Sequence, residues 1–278
     1  MEAVYANDNH STVLHEKNGV IYLTFTKLDA AGLTHGFSTR IGGVSKGYFS
    51  SMNLSFNRGD DEACVRENFR RIGRAIGFDP DDLVMSSQVH ETRICVVGNK
   101  DRGDGILRPA KKNTDALITD EPGLPLCTSY ADCVPLIFYD PVRRVTGMAH
   151  SGWRGTAARI GAKFVAFMEK HYGCDPEDVI AVIGPSICAD CYEVGREVAE
   201  VFEETFAPEE AGEILKPGIP GKYQLDLWKA NEIILLGAGI RRENLDITDL
   251  CTSCNKDLLF SHRASHGKRG NMGCFVML

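Results

Sequence analysis

The sequence contains no run approaching the roughly 20 apolar residues that a membrane-spanning helix needs, which excludes a helical membrane protein. It also lacks a basic excess: 31 Lys and Arg stand against 38 Asp and Glu, for a formal net charge of -7. That balance argues against a nucleic-acid partner, which usually meets a basic face, yet a few local arginines can still bind a small anion. The start, MEAVYANDNHSTVLHEKNG, is polar and acidic and does not read as a secretory leader, so the expected location is cytoplasmic. No GxxxxGK[ST] phosphate loop occurs. Eight histidines contain no His-x-His pair, which sets aside an oxidase with several coppers, since each copper needs its own imidazoles. The H-x-E and P-C-x-x-C pattern of cytidine deaminases is missing too: Glu91 directly follows His90, and neither CxxC is preceded by proline. Internal repeats, low-complexity tracts and a dividing linker are likewise absent, which points to one domain.

What remains is an ordinary globular composition, 43% hydrophobic and 25% charged over 278 residues, enough to bury a full core. Ten cysteines in a chain with no sign of export do not suggest a disulfide scaffold; most read as small buried apolar residues. Residues 1–20 read as a flexible arm and 21–278 as a single catalytic domain. IYLTFTKL and the approach to Phe37 read as strands, followed by a long Gly/Ser/Asn/Arg-rich loop, STRIGGVSKGYFSSMNLSFNRGD. Asp60 and Asp61 then cap a helix with Val65, Phe69, Ile72 and Ile76 on one face. LVMSSQVH, TRICVV, ALIT, LPLCTSY, VPLIFYD and VTGMAHSG read as strands. TAARIGAKFVAFMEKHYG reads as a helix, VIAVIGP as a buried strand, and VGREVAEVFEETF and LDLWKANEIILLGAG as helices, the last capped by Asp226. Residues 207–222 read as a Pro/Gly-rich surface excursion, and ITDLC, LLFSH and CFVML as closing strands. Strands both in runs and alternating with helices give an α+β class.

Three metal-competent residues fall at or near strand ends: His90 after VMSSQVH, Cys133 in the YADCVP turn, and His150 in VTGMAHSGWRG. Two imidazoles and a thiolate make a three-ligand set for Zn²⁺ with a fourth position open, and zinc there would bring its bound water's pKa to about 7. Cu²⁺, ahead of Zn²⁺ in the affinity series, is the other occupant to consider. Asp132 could orient a ligand from behind. The residues alone leave two other readings open: three unrelated buried side chains, or a Cys133 nucleophile activated by His150 or His90.

The segments THGFSTRIGGVSKG, SSQVH, TSYADCVPLIF, AHSGWRGTAARI, IGPSICADCYEVG and LCTSCNKDLLFSHR, in that order, resemble the laccase-domain family of YfiH type from about residue 33 onward. The resemblance implies a mixed-sheet sandwich with flanking helices (CNF/YfiH-like) and carries the family's zinc ligands onto His90, Cys133 and His150. It also implies activities once described as polyphenol oxidation and now associated with purine nucleoside phosphorolysis, adenosine deamination and, in some bacteria, peptidoglycan editing. Arg40 in STRIGG and Arg154 in GWRG sit in Gly-rich loops where amides and a guanidinium could share a phosphate. Ser38, Asn53, His262 and Arg263 are further candidates for the cleft, while Trp153 reads as core. The pairs CADC (Cys188, Cys191) and CTSC (Cys251, Cys254) could form a four-thiolate metal site. Because CADC is expected to run into a helix, a close Cys191–Cys254 thiol pair, or simple burial, is the favoured reading.

These observations together predict a zinc-dependent purine nucleoside enzyme acting on a small nucleoside and phosphate, with no membrane or nucleic-acid partner. Its expected reactions are phosphorolysis of adenosine, inosine or methylthioadenosine, and deamination of adenosine. The alternatives are a hydrolase editing cell-wall precursors, copper-based polyphenol oxidation, and a non-catalytic metal-stabilised binding module.

Overall fold

Val134–Asp140 and Val145–Ser151 are buried at every position, as befits strands with a layer packed on each face. In the computed structural model, which describes residues 3–278, they pair antiparallel at the centre of a six-stranded sheet. Its strand order is Leu245–Ile247, Ile180–Ile183, Val134–Asp140, Val145–Ser151, Ala116–Thr119, Ile94–Val96. A seven-stranded sheet lies against it, ordered Thr12–Lys17, Val20–Phe25, Thr34–Ser38, Met272–Met277, Leu126–Tyr130, Val84–Ser87, Lys111–Lys112. Glu193–Gly195, Lys222–Leu225 and Leu215–Pro217 form a small third sheet.

Side-chain alternation along the strands sorts the core into three layers. Leu117, Ile137, Tyr139, Met148 and Val182 of the six-stranded sheet meet Leu23, Phe25, Phe37, Leu126 and Tyr130 of the seven-stranded one. Their neighbours Ile118, Leu136, Phe138 and Ala149 point the other way, into a layer shared with helices Ile160–Tyr172, Arg196–Thr205 and Leu227–Gly237. Phe138 stacks on Phe164 with ring centroids 4.4 Å apart. The outer face of the seven-stranded sheet is covered by Glu62–Ile76 through Val65, Phe69 and Ile72. The architecture is therefore an α+β, mixed-sheet sandwich with helices on its flanks. Among the described residues no helix is long and apolar enough to cross a membrane.

The predicted caps are in place: Asp61 accepts from the Ala63 N–H, and Asp226 from that of Lys229. Four expectations need correction. The N-terminal arm is not free over most of its length, although its first two residues lie outside the described ones. Asn18 and Gly19, both at positive φ, form the Asn-Gly hairpin turn that pairs Thr12–Lys17 with Val20–Phe25. Upstream, Ala6 donates its N–H to Asp249 O, and Val4 is bonded at both its N–H and carbonyl by the Asn255 amide. LLFSH is not a strand; Leu258, Leu259 and Phe260 are buried in a turn, and a short apolar run cannot by itself distinguish the two. Residues 207–222 include a helix, Pro208–Ile214, where Glu210 reaches back to the Ala207 N–H and Ala211 and Ile214 face the core. Finally, the helix after GWRG is two, Trp153–Ala157 and Ile160–Tyr172, broken at Arg159 with φ 57°.

Gly147 marks how tightly the central sheet is packed. A β-carbon there would collide with the Leu117 carbonyl oxygen and come within 2.6 Å of the Phe164 ring. Gly147→Ala should therefore cost about 1–3 kcal/mol of stability through overpacking. A thermal unfolding midpoint equal to wild type would contradict this.

Candidate active site

His90 follows the strand Val84–Ser87, and Cys133 sits in the turn carrying the chain from Leu126–Tyr130 in one sheet to Val134–Asp140 in the other. His150 is the penultimate residue of Val145–Ser151. Packing of the two sheets is what brings them together. One donor atom from each lies within 4.8 Å of the others, and the two imidazoles meet edge-on with centroids 4.7 Å apart.

A fourth residue, not anticipated from sequence, organises this group. Asp115, fully buried, immediately precedes Ala116–Thr119. Its Oδ1 accepts from the His150 ring Nδ1 at 3.0 Å and from the His90 N–H at 3.0 Å. Its Oδ2 accepts from the N–H groups of Val89 at 3.1 Å and Glu91 at 3.0 Å, and its carbonyl accepts the His150 N–H at 2.7 Å. These bonds hold His90 in a left-handed backbone conformation, φ 64°. They also put the His150 proton on Nδ1, leaving Nε2 as the free donor nitrogen. Burial opposes the Asp115 charge, but the His150 ring and the amides outweigh it and hold the carboxyl below its ordinary range.

Burial opposes charge on Cys133 and His150 as well, yet each sustains the other's. The charge and hydrogen bond of His150, with help from His90, draw the Cys133 thiol down to about 6. The Cys133 thiolate and Asp115 push His150 up to about 9. Without a cation the pair is thiolate and imidazolium over the neutral range. The donor chemistry fits a zinc-class ion: a ready thiolate, and a ring held through its other nitrogen. Gly152 keeps space beside the donors, since a β-carbon there would lie 3.1 Å from both Cys133 Sγ and His90 Nδ1. Asp132, at φ 88°, does not bond the three donors. It accepts from Thr252 Oγ1 at 2.6 Å and the Arg263 N–H at 2.7 Å, tying the Cys133 turn to later loops.

The three residues line a cleft of about 550 Å³, together with Ser87, Gln88, Asn57 and four arginines. Two of those arginines are already neutralised, Arg66 by Glu62 and Arg108 by Asp104. Arg58 and Arg269 have no carboxylate partner among the described residues. Arg269 Nε is buried with no hydrogen-bond partner, and burial followed by the Arg58 charge lowers its pKa to about 10. Two like charges facing one cleft without a counterion are the electrostatics of an anion site.

The substrate contacts expected from sequence lie elsewhere. Arg40 donates to the carbonyls of Ser50 and Lys256 and packs over Phe260, outside this cleft. Arg154 is exposed and stacks on Trp153, which itself packs against the core. Ser38 is buried in its strand, accepting the Gly273 N–H. Asn53 is buried too, bonding Asp60 and accepting the Asn271 N–H behind the cleft wall. Arg263 caps the carbonyls of Cys191 and Glu193, and exposed His262 does not line the cleft. Arg58 and Arg269 each precede a glycine, as Arg154 does, and Arg40 stands two residues before one, so only the fold tells the pairs apart.

Residues 34–278 match the family described as multi-copper polyphenol oxidoreductase laccase. The chain belongs to that family. Purine nucleoside phosphorylase YlmD of Bacillus subtilis is 37% identical over 243 residues, 87% of each chain. An adenosine deaminase from an unknown prokaryotic organism is 35% identical over 243 residues, 85% of this chain and 92% of its own. The crystal structure of Bacillus licheniformis hypothetical protein YfiH superposes with a TM-score of 0.90 at 36% identity, covering 95% of this chain and 98% of that one. In this laccase-family member the histidines gathered at one point number two, joined by a single thiolate, a donor set suited to one ion.

The coupled charges are open to a direct test. In protein stripped of metal, alkylation of Cys133 followed by peptide mapping should rise with pH and reach half its plateau near pH 6, well below an ordinary thiol. Asp115→Asn removes the charge that supports the imidazolium, so the same midpoint should move upward. An ordinary thiol midpoint in the wild type would refute the thiolate–imidazolium pair.

Proposed function

We propose that this chain is a zinc-dependent purine nucleoside enzyme that phosphorolyses adenosine, inosine or methylthioadenosine and deaminates adenosine. The observation that carries the reading is one cleft holding both a His90/Cys133/His150 donor set and an unneutralised Arg58/Arg269 pair. The names of its relatives, purine nucleoside phosphorylase and adenosine deaminase, support the same substrate class.

His90, Cys133 and His150 would hold the ion, with Asp115 fixing the His150 ring and Gly152 leaving the approach clear. Zinc held by such a set would supply Lewis acidity beside the substrate and bring water ionisation near pH 7. One thiolate, two imidazoles and no second histidine cluster among the described residues suit a single ion rather than several coppers, and zinc takes such a set with its fourth position open. Phosphorolysis needs a phosphate oxygen at the ribose C1′; the C1′–N9 bond breaks as the new C–O bond forms, and the purine leaves with the electron pair. Arg58 and Arg269 hold that phosphate and carry its charge. Deamination needs water at C6 with ammonia leaving, and no anion. The polar lining from Ser87, Gln88 and Asn57 supplies hydrogen-bonding groups for the nucleoside. Gln88 is itself fixed by both backbone groups of Ser129.

The test is product analysis on a nucleoside panel with and without phosphate. Free base with ribose 1-phosphate, appearing only with phosphate, is expected, as is inosine from adenosine in its absence. Arg58→Met and Arg269→Met should each reduce phosphorolysis about 10- to 100-fold, the worth of a charged hydrogen bond, with a smaller effect on deamination. Arg40→Met, outside the cleft, should leave phosphate KM unchanged. A released amino acid from a cell-wall precursor, or no product with any nucleoside, would overturn the reading.

A further inference from the structure

Outside the cleft, the structure gathers the two CxxC pairs that the sequence reading assigned to a thiol pair or plain burial. CADC does not run into a helix. It occupies a single 3-10 turn, Ala189–Cys191, followed by the strand Glu193–Gly195. CTSC likewise falls in a series of turns after Leu250. The donor sulfurs of Cys188, Cys191, Cys251 and Cys254 all lie within 4.8 Å of one another, and none is in a disulfide.

We propose that Cys188, Cys191, Cys251 and Cys254 form a second metal site, binding one zinc ion through four thiolates and serving a structural role. Four Zn–S bonds of about 2.3 Å place sulfurs about 3.8 Å apart in a tetrahedron, so a slight contraction of the present cluster is all that is needed. The Cys191 and Cys254 sulfurs are already 3.5 Å apart. A redox pair would need only two of the four, whereas here two turns each contribute two sulfurs to a common point. The backbone is arranged for the charged form as well: the N–H groups of Cys188 and Cys254 donate to Cys251 Sγ at 3.3 and 3.5 Å. Hydrogen bonds from amides to sulfur favour a thiolate. A divalent cation would supply the charge that holds four thiolates together.

Position gives the site its purpose. Thr252, inside the second turn, donates its N–H to Ser186 O and its hydroxyl to Asp132. The Asp132 carbonyl accepts the Ile187 N–H, and Arg263 bonds the carbonyls of Cys191 and Glu193. A cation joining the two turns would clamp the segments that fix the Cys133 turn from behind. All four sulfurs lie outside the described lining of the cleft.

The experiment is elemental analysis with X-ray absorption on the full chain, purified without a histidine tag, in wild type, Cys133→Ser and Cys254→Ser. Cys254 is exposed, which makes its replacement the least disruptive to folding. Cys133→Ser should retain one zinc per chain with an all-sulfur shell at about 2.3 Å. Cys254→Ser should lose that ion, and its thermal unfolding midpoint should fall. Because Cys133→Ser isolates this site, the result is independent of the active-site reading and of whether Cys254→Ser folds. Absence of zinc from Cys133→Ser, nitrogen or oxygen in its shell, iron in place of zinc, or a Cys191–Cys254 disulfide recovered without reductant would each overturn the proposal.

Discussion

The buried carboxylate of Asp115 is the constraint from which the candidate site follows. It satisfies four N–H groups on its two oxygens and a fifth on its carbonyl. Such a group is costly to bury unless fully bonded, and here every bond leads to the segment around His90 or to His150. The carboxylate therefore spans the seam between the two sheets electrostatically, where side-chain packing alone would leave the loop after Val84–Ser87 free to wander. It also decides which His150 nitrogen is available, and through the imidazolium it lowers the thiol of Cys133. Ring orientation, tautomer and ionisation are three outcomes of one placement.

The legible part of the site was the part with rare chemistry. Cysteine and histidine at strand ends stand out because few residues can bind a soft cation, and His90, Cys133 and His150 do converge. Asp115 did not stand out, since one aspartate before ALIT looks like any strand-flanking residue and its bonds are made by tertiary structure. The arginines are a different case. Arg40 and Arg154 lie near glycines as Arg58 and Arg269 do, and local sequence cannot say which guanidinium faces the cleft. Arg40 is consumed by the carbonyls of Ser50 and Lys256.

The fold was read most faithfully where periodicity and burial agreed. ALIT and VPLIFYD coincide with strands Ala116–Thr119 and Val134–Asp140, and the Asp61 and Asp226 caps open their helices. Errors fell where a short segment carried two signals. LLFSH is apolar enough for a strand but is buried as a turn, and Pro208 suggested a loop where it starts a helix. The Asn18–Gly19 turn was overlooked because the strand before it, Thr12–Lys17, is largely exposed and shows little hydrophobic alternation.

The order of strands in the larger sheet has a bearing on how the molecule is made. Met272–Met277 lies between Thr34–Ser38 and Leu126–Tyr130 and pairs with both. During synthesis the first hairpin and the strands near residue 126 are therefore complete long before the element that joins them exists. Until residues 272–277 emerge from the ribosome, Thr34–Ser38 and Leu126–Tyr130 each present an open edge, the kind of surface that invites wrong pairing. Closing the sheet across so long a stretch of chain is also inherently slow. Residues 272–277 must be made before this sheet can close, so the nascent chain has an interval in which protection by a chaperone matters most.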